Sequence, residues 1–255
     1  MQLIVFLLGL VIGSFLNVCI HRFPEEKSVI WPGSHCPKCK HKISWYDNIP
    51  LLSFFILRGQ CRHCKAAISW RYPIVEFLSG IIWIFCWGLF GWSWIFLISV
   101  IFLSLLLIIT ATDLETGLIP DEVTFSGIGA GILISVFYPA LQSSAVWWGG
   151  GWRSILGLLL GGALIYITGA VGKLVFRKDA MGDGDVKLMA MIGCFLGWEK
   201  IILVFFTAPF LALPLALFSK YIQKKEAIPY GPFLAVASGF YFFLGDLVWH
   251  NLFAL

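Results

Sequence analysis

Ser93-Trp-Ile-Phe-Leu-Ile-Ser-Val-Ile-Phe-Leu-Ser-Leu-Leu-Leu-Ile-Ile-Thr-Ala-Thr112 is twenty residues without a charge, and Asp113-Leu-Glu-Thr-Gly-Leu-Ile-Pro-Asp121 follows it directly. At a rise of about 1.5 Å per residue, such a run covers the roughly 30 Å hydrocarbon layer of a bilayer. The stretch reads as a transmembrane helix that ends on carboxylates. A second acidic segment, Gly182-Asp183-Gly184-Asp185-Val-Lys-Leu188, opens another apolar run. Ionisable residues at the edge of a span are solvated or functional. Two such clusters on one side of a membrane offer a pair of acids able to act on one water molecule.

Composition agrees with the membrane reading. The 255 residues are 59% hydrophobic and 13% charged, against about 25% charged in soluble domains. Mean hydropathy is +0.88, which leaves little room for a large soluble domain. Apolar runs place about eight transmembrane helices near 2–20, 74–90, 93–112, 123–139, 154–175, 186–197, 200–219 and 231–250. The expected fold is an all-α polytopic membrane protein. Trp92, Trp94, Trp147, Trp148, Trp152 and Trp198 fall at proposed span ends, where aromatic anchors belong. Pro120-Asp121-Glu122 reads as the start of the fourth helix, with acids at its positive dipole end. The formal charge of +4 is small, and no nucleic-acid partner is expected.

Lys and Arg set the orientation. The 21–73 loop carries Arg22, Lys27, Lys38, Lys40, Lys42, Arg58, Arg62, Lys65 and Arg71. Lys173, Arg177, Lys178 and Lys187 cluster at the fifth-to-sixth connection, and Lys220, Lys224 and Lys225 at the seventh-to-eighth. Only Arg153 and Lys200 fall on the other side. The positive-inside rule then puts both termini outside and Asp113, Asp121, Asp183 and Asp185 at the cytoplasmic face. The first span lacks a basic n-region and a small-residue cleavage site, so it is expected to stay in the membrane.

Cys36-Pro-Lys-Cys39 and Cys61-Arg-His-Cys64 form two C-x2-C knuckles in the 21–73 loop. Four thiolates at this spacing close a tetrahedral zinc site. Disulfides are the alternative, but a cytoplasmic loop is reducing. A loop this small buries little core, so a structural metal would supply much of its folding energy. Four Cys leave no open coordination position, which argues against zinc hydrolysis. Cys19, Cys86 and Cys194 lie in apolar runs and read as packing. His35, His41 and His63 flank the knuckles.

Peptide hydrolysis by two aspartates needs one carboxylate to deprotonate a water while the other, protonated, polarises the scissile carbonyl. Like charges about 4 Å apart repel by roughly 4 kcal/mol at an effective dielectric of 20, so such a pair shares one proton. Glycines around Asp183 and Asp185 let backbone approach a substrate and loosen a helix start. The bland alternative makes Asp113 a solvated boundary residue and Asp183 a helix cap. Spacing alone does not choose between Asp183 and Asp185, or between Asp113 and Asp121. Asp246, near the outer end of the last span, reads as structural, and Asn17 as an interhelical hydrogen-bonding residue.

Gly13-Ser-Phe-Leu-Asn-Val-Cys-Ile-His-Arg-Phe-Pro24, the two knuckles, Arg71-Tyr-Pro-Ile-Val-Glu76, the Asp113 to Asp121 segment and Met181-Gly-Asp-Gly-Asp-Val-Lys-Leu188 occur in that order. This series resembles the type IV prepilin peptidases, bifunctional leader peptidases and N-methyltransferases of pilus and type II secretion systems. The resemblance implies Asp113 and Asp185 as the catalytic acids, Asp185 being the acid of a G-x-G-D motif. It implies cleavage of type IV prepilins or pseudopilins after a Gly on the cytoplasmic side of a bacterial inner membrane. It implies N-methylation of the new terminus with S-adenosylmethionine, and associates the zinc-held loop with methyl transfer. Gly59 matches a position the family uses for methylation; as a residue it also reads as a turn glycine in Arg-Gly-Gln. Glu76 either serves the methyltransferase site or pairs with Arg71. No Gly-rich Rossmann fingerprint supports a SAM site independently.

The expected organisation is a first helix over 1–20, a zinc-binding loop domain over 21–73 and a membrane peptidase domain over 74–255. Alternatives are a peptidase without methyl transfer, a transporter whose acids carry protons or cations, and a zinc-bearing assembly protein. A transporter predicts acids at the bilayer midplane and inverted repeats, neither of which the sequence displays.

Overall fold

A computed structural model describes residues 1–177, 181–219 and 228–253, so Lys178, Lys220, Lys224 and Lys225 lie outside the described residues. The described chain is helical: α1 (Gln2–Arg22), α2 (Leu52–Ile56), α3 (Arg71–Phe90), α4 (Trp94–Thr116), α5 (Asp121–Phe137), α6 (Trp147–Phe176), α7 (Asp183–Phe218) and α8 (Gly231–Phe253). Six of them are long and apolar enough to cross a membrane, against the eight spans expected. The difference has two sources. α5 has 17 residues, and α7 holds the runs 186–197 and 200–219 as two helical arms joined across a break at Gly197.

The chain folds as two compact units, Met1–Ala111 and Thr112–Leu255. In the first, α1 and α3 run antiparallel. A Cβ added at Gly9 would lie 2.8 Å from Gly80 Cα, and one at Gly13 would lie 2.7 Å from Glu76 Cα. Gly9 and Gly13 therefore hold the two backbones in contact, the small-x-x-x-small solution to helix packing without a hydrophobic driving force. The Ser79 hydroxyl donates to Gly9 O at 2.7 Å, and Asn17 Nδ2 donates to Tyr72 O at 3.0 Å. Trp83 and Trp92 both pack edge-on against fully buried Phe96 of α4.

The second unit is built around α7, whose regular geometry breaks at Gly197 (φ +78°, ψ +176°). Met189 and Ile201 would stand about 18 Å apart on a straight helix. Yet a Cβ on Gly161 would meet Met189 O at 2.5 Å and Ile201 Cγ1 at 3.1 Å. The chain therefore folds back at Gly197, a turn that only glycine enters without strain. Carbonyls left open by the break are taken up by a buried side chain: Gln142 Nε2 donates to Cys194 O at 2.9 Å and Phe195 O at 3.1 Å. The Ser135 and Ser154 hydroxyls also donate to Cys194 O. Beyond the turn, Trp198 packs edge-on against Trp249, Lys200 pairs with Asp246 at 2.9 Å, and Thr207 meets the Tyr241 hydroxyl at 2.7 Å. The returning half of α7 thus runs antiparallel to α8. This brings the start of α8 to the end of the unit where α7 begins.

Candidate active site and metal centre

The acids occupy that shared end. Asp113, on the last turns of α4, is 6% exposed although it is a carboxylate. Its Oδ2 accepts the backbone N–H of Gly231 at 2.9 Å, at the N-terminus of α8, where the helix dipole favours negative charge. A Cβ at Gly231 would lie 2.6 Å from the same oxygen, so only glycine lets the amide this close. Asp185 is half-buried in the first turn of α7, and its Oδ2 accepts the Gly182 N–H at 3.3 Å. Asp113 and Asp185 lie close enough for their charges to interact. Tyr230 joins the group: burial pushes its phenol up to about 12, and negative charge on Asp185 adds to the rise.

The other two acids are elsewhere. Asp121 is exposed at the start of α5 and takes the Lys187 ammonium on both oxygens, at 2.7 and 2.8 Å. Asp183 is exposed at the first residue of α7. The glycines do not loosen this helix start as expected. α7 is regular from Asp183, Gly182 has an ordinary φ of −82°, and a Cβ on Gly184 would press on Ile119 at 3.0 Å. Gly184 thus seats the first turn of α7 against the 117–120 connection and holds Asp185 in place.

In the first unit, the Cys36, Cys39, Cys61 and Cys64 sulfurs lie within 4.8 Å of one another. Cys36 Sγ to Cys64 Sγ is 3.8 Å, close to the edge of a tetrahedron with metal–sulfur bonds of about 2.3 Å. No cysteine is in a disulfide. The two knuckles are built alike: Lys40 N donates to Cys36 O and Lys65 N to Cys61 O, and both lysines have a positive φ. The N–H groups of Cys64 and His63 point at Cys61 and pull its thiol down to about 7, toward the thiolate that a metal needs. The donor set fits zinc and is closed. The His41 and His63 rings stack at 3.5 Å beside it. A bidentate Arg62–Asp47 pair, with Arg62 over the Tyr46 ring, braces the second knuckle to the 45–48 turn.

Glu76 is buried on α3, where Oε2 accepts Leu51 N at 2.8 Å and the Ser14 hydroxyl is within hydrogen-bonding reach. Nearby on α1, Asn17 Oδ1 is buried without a partner. These acceptor oxygens suit a cationic group, as the sulfonium or amine of a methyl transfer would be. Gly59 has φ +67° and a phenyl edge of Phe54 at 3.2 Å from its would-be Cβ; that turn is itself a reason for glycine. Cys19, Cys86 and Cys194 are buried in packing positions.

Residues 7–90 match the family model described as the bacterial peptidase A24 N-terminal domain, and residues 100–217 match the type IV leader peptidase family. A prepilin leader peptidase/N-methyltransferase of Neisseria gonorrhoeae is 33% identical over 95% of this chain and 90% of its own length. One of Burkholderia pseudomallei is 31% identical over 93% and 84%. The chain belongs to the type IV leader peptidase family. A Myxococcus xanthus relative of the same name is 39% identical over 77% of this chain, a match spanning 56% of the relative's length. No solved structure matches significantly. Asp113 and Asp185, the acids expected from the motif resemblance, are the two whose charges interact. Reading for motifs missed Tyr230 and Gly231. The signal was present in Pro229-Tyr-Gly-Pro232, proline and glycine at the mouth of an apolar run, which marks a helix start but not what that start touches.

Proposed function

We propose that this multi-pass membrane protein removes the leader peptide of type IV prepilins or pseudopilins with Asp113 and Asp185, and then N-methylates the new terminus. The observation that carries the proposal is a buried Asp113 carboxylate, hydrogen-bonded by the first amide of α8, within electrostatic range of Asp185. Asp113 has the shorter amide hydrogen bond, 2.9 Å against 3.3 Å, and acts as the carboxylate; Asp185 carries the shared proton. Asp113 takes a proton from water, the hydroxyl adds to the scissile carbonyl carbon, and Asp185 protonates the carbonyl oxygen. As the tetrahedral adduct collapses, Asp185 takes back the proton from the hydroxyl that becomes the new carbonyl, and the expelled amine receives a proton from Asp113. The pair returns to its starting state.

For methyl transfer, Glu76 holds and deprotonates the pilin amine, with Gly59 and the 21–73 loop around it. S-adenosylmethionine supplies the electrophilic methyl group when bound. Zinc on Cys36, Cys39, Cys61 and Cys64 is structural. The loop and both acids face the cytoplasm of a bacterial inner membrane, with the termini periplasmic, as the basic residues direct.

The test is cleavage of a prepilin by purified protein in liposomes. Asp113→Asn and Asp185→Asn each abolish leader removal while the protein still inserts; Asp121→Asn and Asp183→Asn keep substantial activity. A dead Asp183→Asn beside an active Asp185→Asn overturns the assignment.

A further inference from the structure

The 21–73 loop divides into polar knuckles and apolar segments. Ile49-Pro-Leu-Leu-Ser-Phe-Phe-Ile-Leu57 has no charge, and α2 lies inside it. Ser53 turns inward and donates to Tyr46 O at 3.1 Å, whereas Leu52, Phe55 and Ile56 are 53%, 61% and 65% exposed. Their level along the spans is fixed by two contacts. Leu51 N bonds Glu76, five residues or about 7.5 Å inside α3 from Arg71. Phe54 packs on Trp70, at the head of α3, with ring centres 4.9 Å apart.

A second apolar segment does the same beside α1. Arg22 donates to Ser28 O at 2.8 Å and to Pro32 O at 2.6 Å, folding the chain back along the helix. Ile30, Pro32 and Pro50 then wall a cavity of about 330 Å³ together with Val11, Ser14 and Phe15. Val11 lies eleven residues, about 16 Å, before Arg22 on the apolar helix. Ile30 and Trp31 are 86% and 78% exposed. The exposed cations Lys38, Lys40, Lys42, Arg58 and Lys65 sit in the knuckles or at the ends of these segments.

We propose that residues 29–32 and 49–57 are seated in the lipid leaflet that receives the loop-bearing ends of α1 and α3. Acyl chains cover Ile30, Trp31, Leu52, Phe55 and Ile56, and the metal knuckles stand among and beyond the phosphate headgroups. Apolar side chains at membrane depth gain by this contact, and cations at the boundary reach lipid phosphate. Both segments continue the apolar surface of the spans to which they are bonded. The loop is then a membrane-seated platform, which would deliver an amine-bearing chain end in the membrane to Glu76 without lifting it into water.

Hydroxyl-radical footprinting of the wild-type chain in phosphatidylethanolamine/phosphatidylglycerol liposomes tests this. Trp31, Leu52, Phe55 and Ile56 are expected to oxidise at least about tenfold more slowly than exposed His63, because water is scarce below the headgroups. A photo-crosslinking amino acid at Phe55 is expected to give adducts on lipid acyl chains, and one at Lys38 to give adducts on headgroups only. Oxidation of Leu52, Phe55 and Ile56 at the rate of His63 overturns the proposal. So does a crosslink from position 55 to a second copy in place of lipid. Neither readout depends on peptidase activity.

Discussion

Replacing Gly231 by alanine puts a methyl group where Asp113 and the α8 amide now meet. The added Cβ would stand 2.6 Å from Oδ2 and 3.3 Å from Cγ of Asp113. Ordinary contact begins near 3.4 Å, so the oxygen must retreat by about 0.8 Å from 2.6 Å. Its 2.9 Å hydrogen bond to the Gly231 amide is stretched or lost, at a cost of about 1.5–3 kcal/mol for a charged acceptor. A misplacement near 1 Å in a reacting group lowers rates by up to about 100-fold. The expected result is a fall of roughly 10- to 100-fold in kcat for leader removal, with KM little changed. The assay is a time course of prepilin cleavage in liposomes, read by gel mobility, with membrane insertion and metal content measured on the same sample. Gly129→Ala is the control: nothing lies within 4 Å of its Cβ, and it should cleave at the parent rate. A Gly231→Ala enzyme that also cleaves at the parent rate would refute the idea that this amide holds Asp113 for catalysis.

Changing Cys36, Cys39, Cys61 and Cys64 together to Ser should remove one zinc per chain and make the 21–73 loop protease-sensitive; elemental analysis showing full metal retention contradicts the site. Glu76→Gln keeps an oxygen for Leu51 N but no carboxylate, so cleaved pilin should accumulate lacking its methyl group by mass spectrometry; fully methylated product removes Glu76 from the site. Gly59→Val should also yield cleaved, unmethylated pilin, whereas joint loss of cleavage and methylation would mean that the loop supports the whole enzyme. Gln142→Ala strips donors from Phe195 O and Cys194 O at the Gly197 turn. It should cost about 1–3 kcal/mol, seen as earlier thermal unfolding in detergent, and an unchanged transition would show that the turn holds without it.

Much of the architecture could be read from local composition, because a bilayer imposes its length on any chain that crosses it. The apolar runs led to α1, α3, α4, α6 and α8, with ends shifted by a few residues. The two C-x2-C knuckles were legible because the loop folds close to its own sequence. The region between 186 and 219 was read as two runs, and the structure has two helical arms there, joined by a turn at Gly197. Hydropathy records the apolar residues but not the φ of one glycine, nor the Gln142 side chain that satisfies the open carbonyls.

The acids mark the division most clearly. From sequence alone came two carboxylate clusters at membrane edges, and spacing left Asp121 level with Asp113 and Asp183 level with Asp185. Family resemblance named a pair without saying how it is held. The tertiary structure separates them physically. Asp121 is neutralised by Lys187, 66 positions away, and Asp113 is buried under the amide of Gly231, 118 positions away. Burial, and the approach of a backbone amide from another helix, depend on how helices pack. Local sequence sets where a helix starts and ends; packing sets what its end touches.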